Sequence, residues 1–337
     1  MGYLCPKFHL MKKKIHVLLV AFFALLSVGC SDFEYGTSIP PTHWYHAQLL
    51  GFYGAVHTIA IHDATASQQL VDAEFDAYGR CVRWNDTGVM NRSDYSTRAW
   101  GSETAWYEYK YNAEGAVVEV RKYVLGGDVE TFRISYGNHT INVPAPFPLG
   151  NLPCWIAGVS RIESEHYTLT CDGKSVKAER RMYDVQNEVW KSQFHFQQST
   201  VTEEDIQIYT IAEDGEQKLS RRRRVLYDFS GPTLNRIIRI DTDEDGHKVR
   251  FETLYNGNTM RPLRRKLFSG DEQQPTNEAV YEYDYRGRLT VVRDEKEFFE
   301  TPYTIKYQTE DMQRNFLTAT RTMGDQVQNL QSTITYW

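Results

Sequence analysis

Tyr281-Glu282-Tyr283-Asp284-Tyr285-Arg286-Gly287-Arg288-Leu289 runs from an aromatic strand into a tight reversal and out again. Its first half alternates rings with charges, the period-two pattern of a strand that buries one face. Asp284 starts the turn by accepting from its own backbone two residues on, and Gly287 takes the positive φ that the reversal needs. The reading is a β-hairpin.

The same signature recurs outward from this point. Phe75-Asp76-Ala77-Tyr78-Gly79-Arg80-Cys81-Val82 and Tyr111-Asn112-Ala113-Glu114-Gly115-Ala116-Val117-Val118 are clear copies, and looser ones centre on Gly215 and Gly246. Before Asn112, Trp106, Glu108 and Lys110 fall on one face of an expected strand, and Tyr107, Tyr109 and Tyr111 on the other. Val56–Ile61 and Tyr303–Tyr307 also read as strands. The 22 tyrosines, 16 phenylalanines and 7 tryptophans suit pleated, half-buried surfaces, while helix-period stretches are hard to find. The expected fold is all-β: an extended or curved antiparallel sheet over residues 51–337, built from repeated hairpins.

The copy around Asp284 resembles the YD repeat of the RHS family, aromatic-Asp-x-x-Gly-Arg-Leu, and Phe75 to Val82 resembles it next best. The likeness covers about three short units, and their spacing is less regular than in true YD arrays. It implies hairpin architecture, without the protease motif or toxin domain of long RHS proteins. The chain is more similar to bacterial surface lipoproteins that carry a few degenerate YD-like hairpins.

The first thirty residues read as an export signal. Lys12-Lys13-Lys14 precedes the apolar run from His16 to Leu26, which has signal-peptide rather than membrane-spanning length. The run ends in Leu26-Ser27-Val28-Gly29-Cys30, which resembles the lipobox of bacterial lipoproteins although Ser27 stands where that family usually has leucine. This resemblance implies acylation of Cys30 and a lipid anchor in the outer membrane, and Ser31-Asp32-Phe33-Glu34 resembles a short acidic surface-sorting stretch. Met11 is the expected start. Losing the four lysines of residues 1–30, which hold no acid, takes the formal net charge from −6 to −10. That balance gives no nucleic-acid footprint.

Residues 31–50 read as a flexible tether because Pro40-Pro41 disfavours helix and cannot donate to a ladder. Pro144, Pro146, Pro148 and Pro153 exclude a central strand over 143–153. That segment either divides two domains or, the favoured reading, is a crossover loop within one sheet.

Candidate sites are few. Asp241, Asp243, Asp245 and Glu252 match the spacing of a calcium loop, in which alternate oxygens converge on a hard cation, but the flanking Leu234–Ile240 reads as strand rather than helix. An acidic hairpin turn is the competing reading. Cys154 and Cys171 could pair in an oxidising envelope, or stay buried as thiols beside Cys81. Arg221-Arg222-Arg223-Arg224 would divide between two strand faces, leaving either a solvated face or a phosphate or lipopolysaccharide contact. The chain has no nucleophile elbow, phosphate loop, dinucleotide fingerprint or HExxH helix.

The expected function is therefore non-catalytic: a lipid-anchored cell-envelope scaffold or binding protein without a cofactor, calcium excepted, whose partner is an envelope protein or a glycan. One alternative is an exported carbohydrate-binding module or glycosidase, motivated by the aromatic excess. Another is an outer-membrane β-barrel, motivated by the terminal Ile334-Thr335-Tyr336-Trp337, although Thr333 and Thr335 occupy positions that should be apolar.

Overall fold

The computed structural model describes residues 45–337, apart from 67, 87–104, 125–128, 150–151, 183–186, 232, 258 and 300. A short helix, α1 (Tyr45–Leu49), precedes 22 strands. The first six are β1 (Val56–Asp63), β2 (Gln68–Phe75), β3 (Cys81–Asp86), β4 (Ala105–Tyr111), β5 (Val117–Val124) and β6 (Val129–Tyr136). A small inner hairpin follows, β7 (Asn142–Pro144) with β8 (Trp155–Ala157). Then come β9 (Val159–Glu163), β10 (Tyr167–Cys171), β11 (Val176–Met182), β12 (Glu188–Gln197), β13 (Thr200–Ile211) and β14 (Gln217–Ser230). The rest are β15 (Thr233–Thr242), β16 (Lys248–Tyr255), β17 (Pro262–Ser269), β18 (Asn277–Tyr283), β19 (Leu289–Asp294), β20 (Tyr303–Glu310), β21 (Phe316–Met323) and β22 (Gln326–Tyr336).

Each wall strand pairs antiparallel with the next, β6 pairs directly with β9, and β22 returns to β1 with Ile334 opposite Ile59. Twenty strands thus close into a barrel, with β7 and β8 outside the ring of pairings. This corrects the expected open or curved sheet. Local patterning fixes which neighbours pair, but an open sheet of this length would leave two unpaired edges and an uncovered apolar face. Closure removes both.

Many inward positions are apolar and buried: Ile59 and Ile61 on β1, Val71, Ala73 and Phe75 on β2, Val225 and Tyr227 on β14. The alternation expected on β4 holds, with Tyr109 buried and Lys110 exposed. Outward positions are polar, as in Gln331, Thr333 and Thr335 of β22.

A twenty-strand ring is too wide for its own side chains to fill. Two inserts complete the core. The first is the proline-rich stretch joining β6 to β9, which turns inward, so that Val143, Ala145, Phe147, Leu149, Leu152 and Ile156 are all buried. The Phe147 ring lies 5.7 Å from that of Phe132, and Trp155 meets Tyr227 edge-on at 5.3 Å. Tyr109 donates its hydroxyl to the Pro148 carbonyl. Proline keeps this stretch out of the wall ladder, as its chemistry requires, and the inner hairpin takes it into the lumen. It is a plug within one unit spanning residues 35–337 and divides no domains.

The second insert is the segment 45–53, which corrects the expected tether: from His46 onward these residues belong to the core. His46 and Ala47 are fully buried, and Phe52 packs 6.5 Å from Phe316. The β19–β20 connection is mostly exposed and adds only Phe299, which donates its backbone N–H to Asp294 at 2.6 Å and whose ring receives the buried Arg265 guanidinium at 4.5 Å.

The three clear repeat turns, at Gly79, Gly115 and Gly287, follow strands of one direction and so gather at one end of the barrel, while Gly215 and Gly246 lie at the other. In two of them the bonding is the same atom for atom. Asp76 accepts from the N–H groups of Tyr78 and Arg80 (2.9 and 3.0 Å) and from Arg80 Nε at 2.6 Å. Asp284 accepts from Arg286 and Arg288 at 2.9 Å each and from Arg288 Nε at 2.7 Å. Each arginine then lies over a tyrosine of the next hairpin, Arg80 on Tyr111 and Arg288 on Tyr307. Those tyrosines donate their hydroxyls to the carbonyl just past the turn, Tyr111 to Cys81 at 2.8 Å and Tyr307 to Leu289 at 3.0 Å. Burial pushes both hydroxyl pKa values up, which keeps them protonated as donors. The unit thus stitches each hairpin to its successor.

Candidate functional site: a basic groove on the barrel wall

The arginine run on β14 divides as strand geometry requires. Arg221 and Arg223 point inward. Arg221 reaches Glu188 at 2.6 Å, while Arg223 makes a bidentate pair with Asp241 (2.5 and 2.9 Å) and lies 5.2 Å over the Trp190 ring. Paired and stacked inside the wall, these two are structural.

Arg222 and Arg224 point outward. The register places Arg224 in a row that reads Lys177, Gln193, Asp205, Arg224, Ile240, Arg250 across β11 to β16. Arg222 belongs to the adjoining row of Lys191, Gln207, Arg222, Thr242 and Lys248. The two rows line an open groove of about 790 Å³. Besides the inward-facing Arg223, six cations line it, with two acids, Asp205 and Asp271.

These cations differ in how far they are already satisfied. Arg224 holds Glu203 through two hydrogen bonds of 2.6 and 2.9 Å, and its donors keep that carboxyl below the usual carboxylate range. Arg250 meets Glu252 at 3.2 Å and lies 3.9 Å over Phe268. Lys191 lies over Tyr209 at 4.9 Å. Lys248 is 3.8 Å from the exposed Asp271, a loose contact at the rim. Among the described residues no carboxylate pairs with Lys177 or Arg222, and both are exposed. The groove therefore holds committed cations, Arg224 and Arg250 among them, and available ones, Lys177 and Arg222, in the same two rows.

The four residues of the expected calcium loop are not brought together. Asp241 faces inward, committed to Arg223 and to Arg239 at 3.2 Å, whereas Glu252 faces outward on β16 beside Arg250. The wall separates them. Asp243 and Asp245 do meet, with His247, in an exposed hairpin turn where Asp243 accepts the His247 N–H at 2.8 Å. Cys154 and Cys171 are thiols with separate neighbours: Cys154 Sγ lies 3.5 Å from the Leu152 carbonyl and Cys171 Sγ lies 3.9 Å from His139. Cys30, the cysteine of the expected lipobox, lies outside the described residues.

Lys177, Lys191, Lys248 and Arg250 escaped the sequence reading because single basic residues on separate hairpins carry no local signal. Only register collects them.

No family model matches the chain, and no curated protein matches it. Among solved structures, it is similar to a chain in the crystal structure of TcdB2-TccC3-Cdc42, at 12% identity and TM-score 0.23 over 76% of this chain. It spans only 13% of that larger chain. It is also similar to porin-like proteins from Bacteroides uniformis (11% identity, TM-score 0.28) and Bacteroides vulgatus (10%, 0.30), covering 84% of this chain and 98% of each of those.

Proposed function

We propose that this is a lipid-anchored cell-envelope protein whose filled barrel is a non-catalytic binding module with its wall facing water. The alternation of the wall supports this reading: apolar side chains turn in against the inserts, with paired charges such as Arg223 and Asp241 among them, and the exposed charged ones turn out. In bilayer, an outward Lys or Arg at mid-depth would cost about 2–4 kcal/mol. The two groove rows on the outer face of β11–β16 alone carry six. A filled interior also leaves the outer wall and the loops as the surfaces available to a partner.

The closed wall fits the reading of an outer-membrane β-barrel as well, and one experiment separates the two. Residues 31–337 are expected to purify as a folded monomer without detergent, and the full chain to take up labelled palmitate that Cys30→Ala abolishes. Recovery only in detergent, with no palmitate label on the full chain, would establish the membrane-spanning barrel instead.

A further inference from the structure

We infer that the β11–β16 groove is a binding site for a linear anionic polysaccharide, one that carries a carboxylate or sulfate on successive sugars. The inference rests on the water-facing reading of the wall and names its ligand class.

Charge is the first argument. The chain is acidic overall, at a formal −6, yet this groove gathers Lys177, Lys191, Arg222, Arg224, Lys248 and Arg250; Asp205 and Asp271 share its lining and Glu203 and Glu252 hold Arg224 and Arg250, so cations still outnumber acids. A local inversion of sign in an acidic protein focuses anions where the rest of the surface repels them.

Shape is the second. The cations stand on β11, β12, β14 and β16, and five inter-strand steps of about 4.8 Å give a track roughly 24 Å long. It runs across the strands and is recessed. A recessed track admits an extended polymer edgewise and keeps a flat bilayer from touching its floor. Lys177 and Arg222, exposed and without a carboxylate partner among the described residues, can meet ligand anions without first breaking a salt bridge.

The lining between the charges is the third. Gln193, Gln207 and Thr242 supply amide and hydroxyl groups that donate and accept, matching a hydroxyl-rich chain. Apolar lining is confined to Ile206 and Ile240. An acidic peptide would find little there to bury its apolar side chains, and Phe268, the ring nearest the floor, is covered by Arg250.

The test measures binding of the full chain, in mild non-ionic detergent, to polygalacturonate, dextran sulfate, neutral dextran and poly-glutamate, and binding of its Cys30→Ala variant, without detergent, to vesicles containing anionic lipid. Both anionic polysaccharides are expected to bind and neutral dextran to fail. Affinity should weaken as salt rises toward 0.5 M, where screening shortens to a few ångströms. The double variant Lys177→Glu with Arg222→Glu should weaken binding by at least about tenfold. Both residues are exposed and unpaired within the wall, and an unchanged melting temperature confirms that the variant is folded. As a control, Lys174→Glu, at an exposed turn outside the groove, should leave affinity unchanged.

The inference is overturned if neither anionic polysaccharide binds, if the double variant binds as well as the parent, or if poly-glutamate or the vesicles bind more tightly than both polysaccharides. Palmitate labelling of Cys30 is a separate readout. The anchor can therefore be shown while the groove fails, or the reverse.

Discussion

The two ends of the barrel use the same kind of turn in opposite ways. At one end, the turn at Gly287 is roofed by the segment 45–53 and its neighbours: Arg261 donates to the Gly287 carbonyl and to that of Leu49, and Tyr53 donates to the Arg286 carbonyl at 2.6 Å. At the other, Gly215 and Gly246 form equivalent reversals with nothing within 4 Å of where a Cβ would stand. Both ends need glycine for a positive φ, 75° at Gly287 and 83° at Gly215. Only the roofed end also needs the space. A turn's sequence thus reports its backbone, while its surroundings decide how much stability depends on it.

The comparison breaks most severely if the core that the roofed end encloses is emptied. Phe147→Ala removes a ring packed against Phe132 and Tyr109 and should destabilise by about 3–5 kcal/mol, read from the urea midpoint.

Acid should strain the same end next. His46 is buried beneath the turn of Asp76, accepting from the Cys81 N–H at 2.6 Å, and burial, aided by the charge of Arg80, lowers its pKa from 6.5 to about 3. The unfolded chain binds a proton below pH 6.5 that the folded one refuses. The contribution of neutral His46 is therefore complete above pH 6.5 and lost as pH falls toward 3, at up to about 1.4 kcal/mol per pH unit. Denaturant titrations between pH 7 and 5 should show a steeper loss in the parent than in His46→Gln. Equal slopes would remove His46 as the cause.

The finest test substitutes the two glycines themselves. Gly215→Ala should cost about 1 kcal/mol for the left-handed backbone alone. Gly287→Ala should cost at least about 1 kcal/mol more, because its Cβ collides with Arg261. Equal melting temperatures for the two variants would show that the roof gives way freely.

What the sequence discloses follows the range of the interaction that each feature depends on. The turns at Asp76, Asn112 and Asp284 are legible because Asp or Asn and Gly act within five residues, and the split of Arg221–Arg224 follows from strand alternation. One turn was overlooked: Asp311 accepts from the Asn315 N–H at 2.9 Å in the same manner, but Arg314 takes the glycine position at φ 67°. Closure was not legible, since Ile59 meets Ile334 across nearly the whole chain and neither strand names its partner. The proline-rich stretch was rightly kept out of the wall, yet its destination depends on a lumen that exists only after closure. The groove was hidden for a related reason. The β13–β14 register shifts between Ile208 and Tyr209, so pairing Lys191 through Gln207 to Arg222 requires knowing which side of that bulge each residue occupies.

The seam between β1 and β22 also sets an order of events. The ring cannot shut until Gln326–Tyr336 has been synthesised, because that strand pairs both with β21 and with the beginning of the wall. Until then a nascent or translocating chain carries two open edges and an apolar face, the state most prone to pairing with other chains. The eleven residues of β22 therefore act as a proofreading step: a chain cut short before them cannot hide its edges, and only one that has passed intact can become a sealed body.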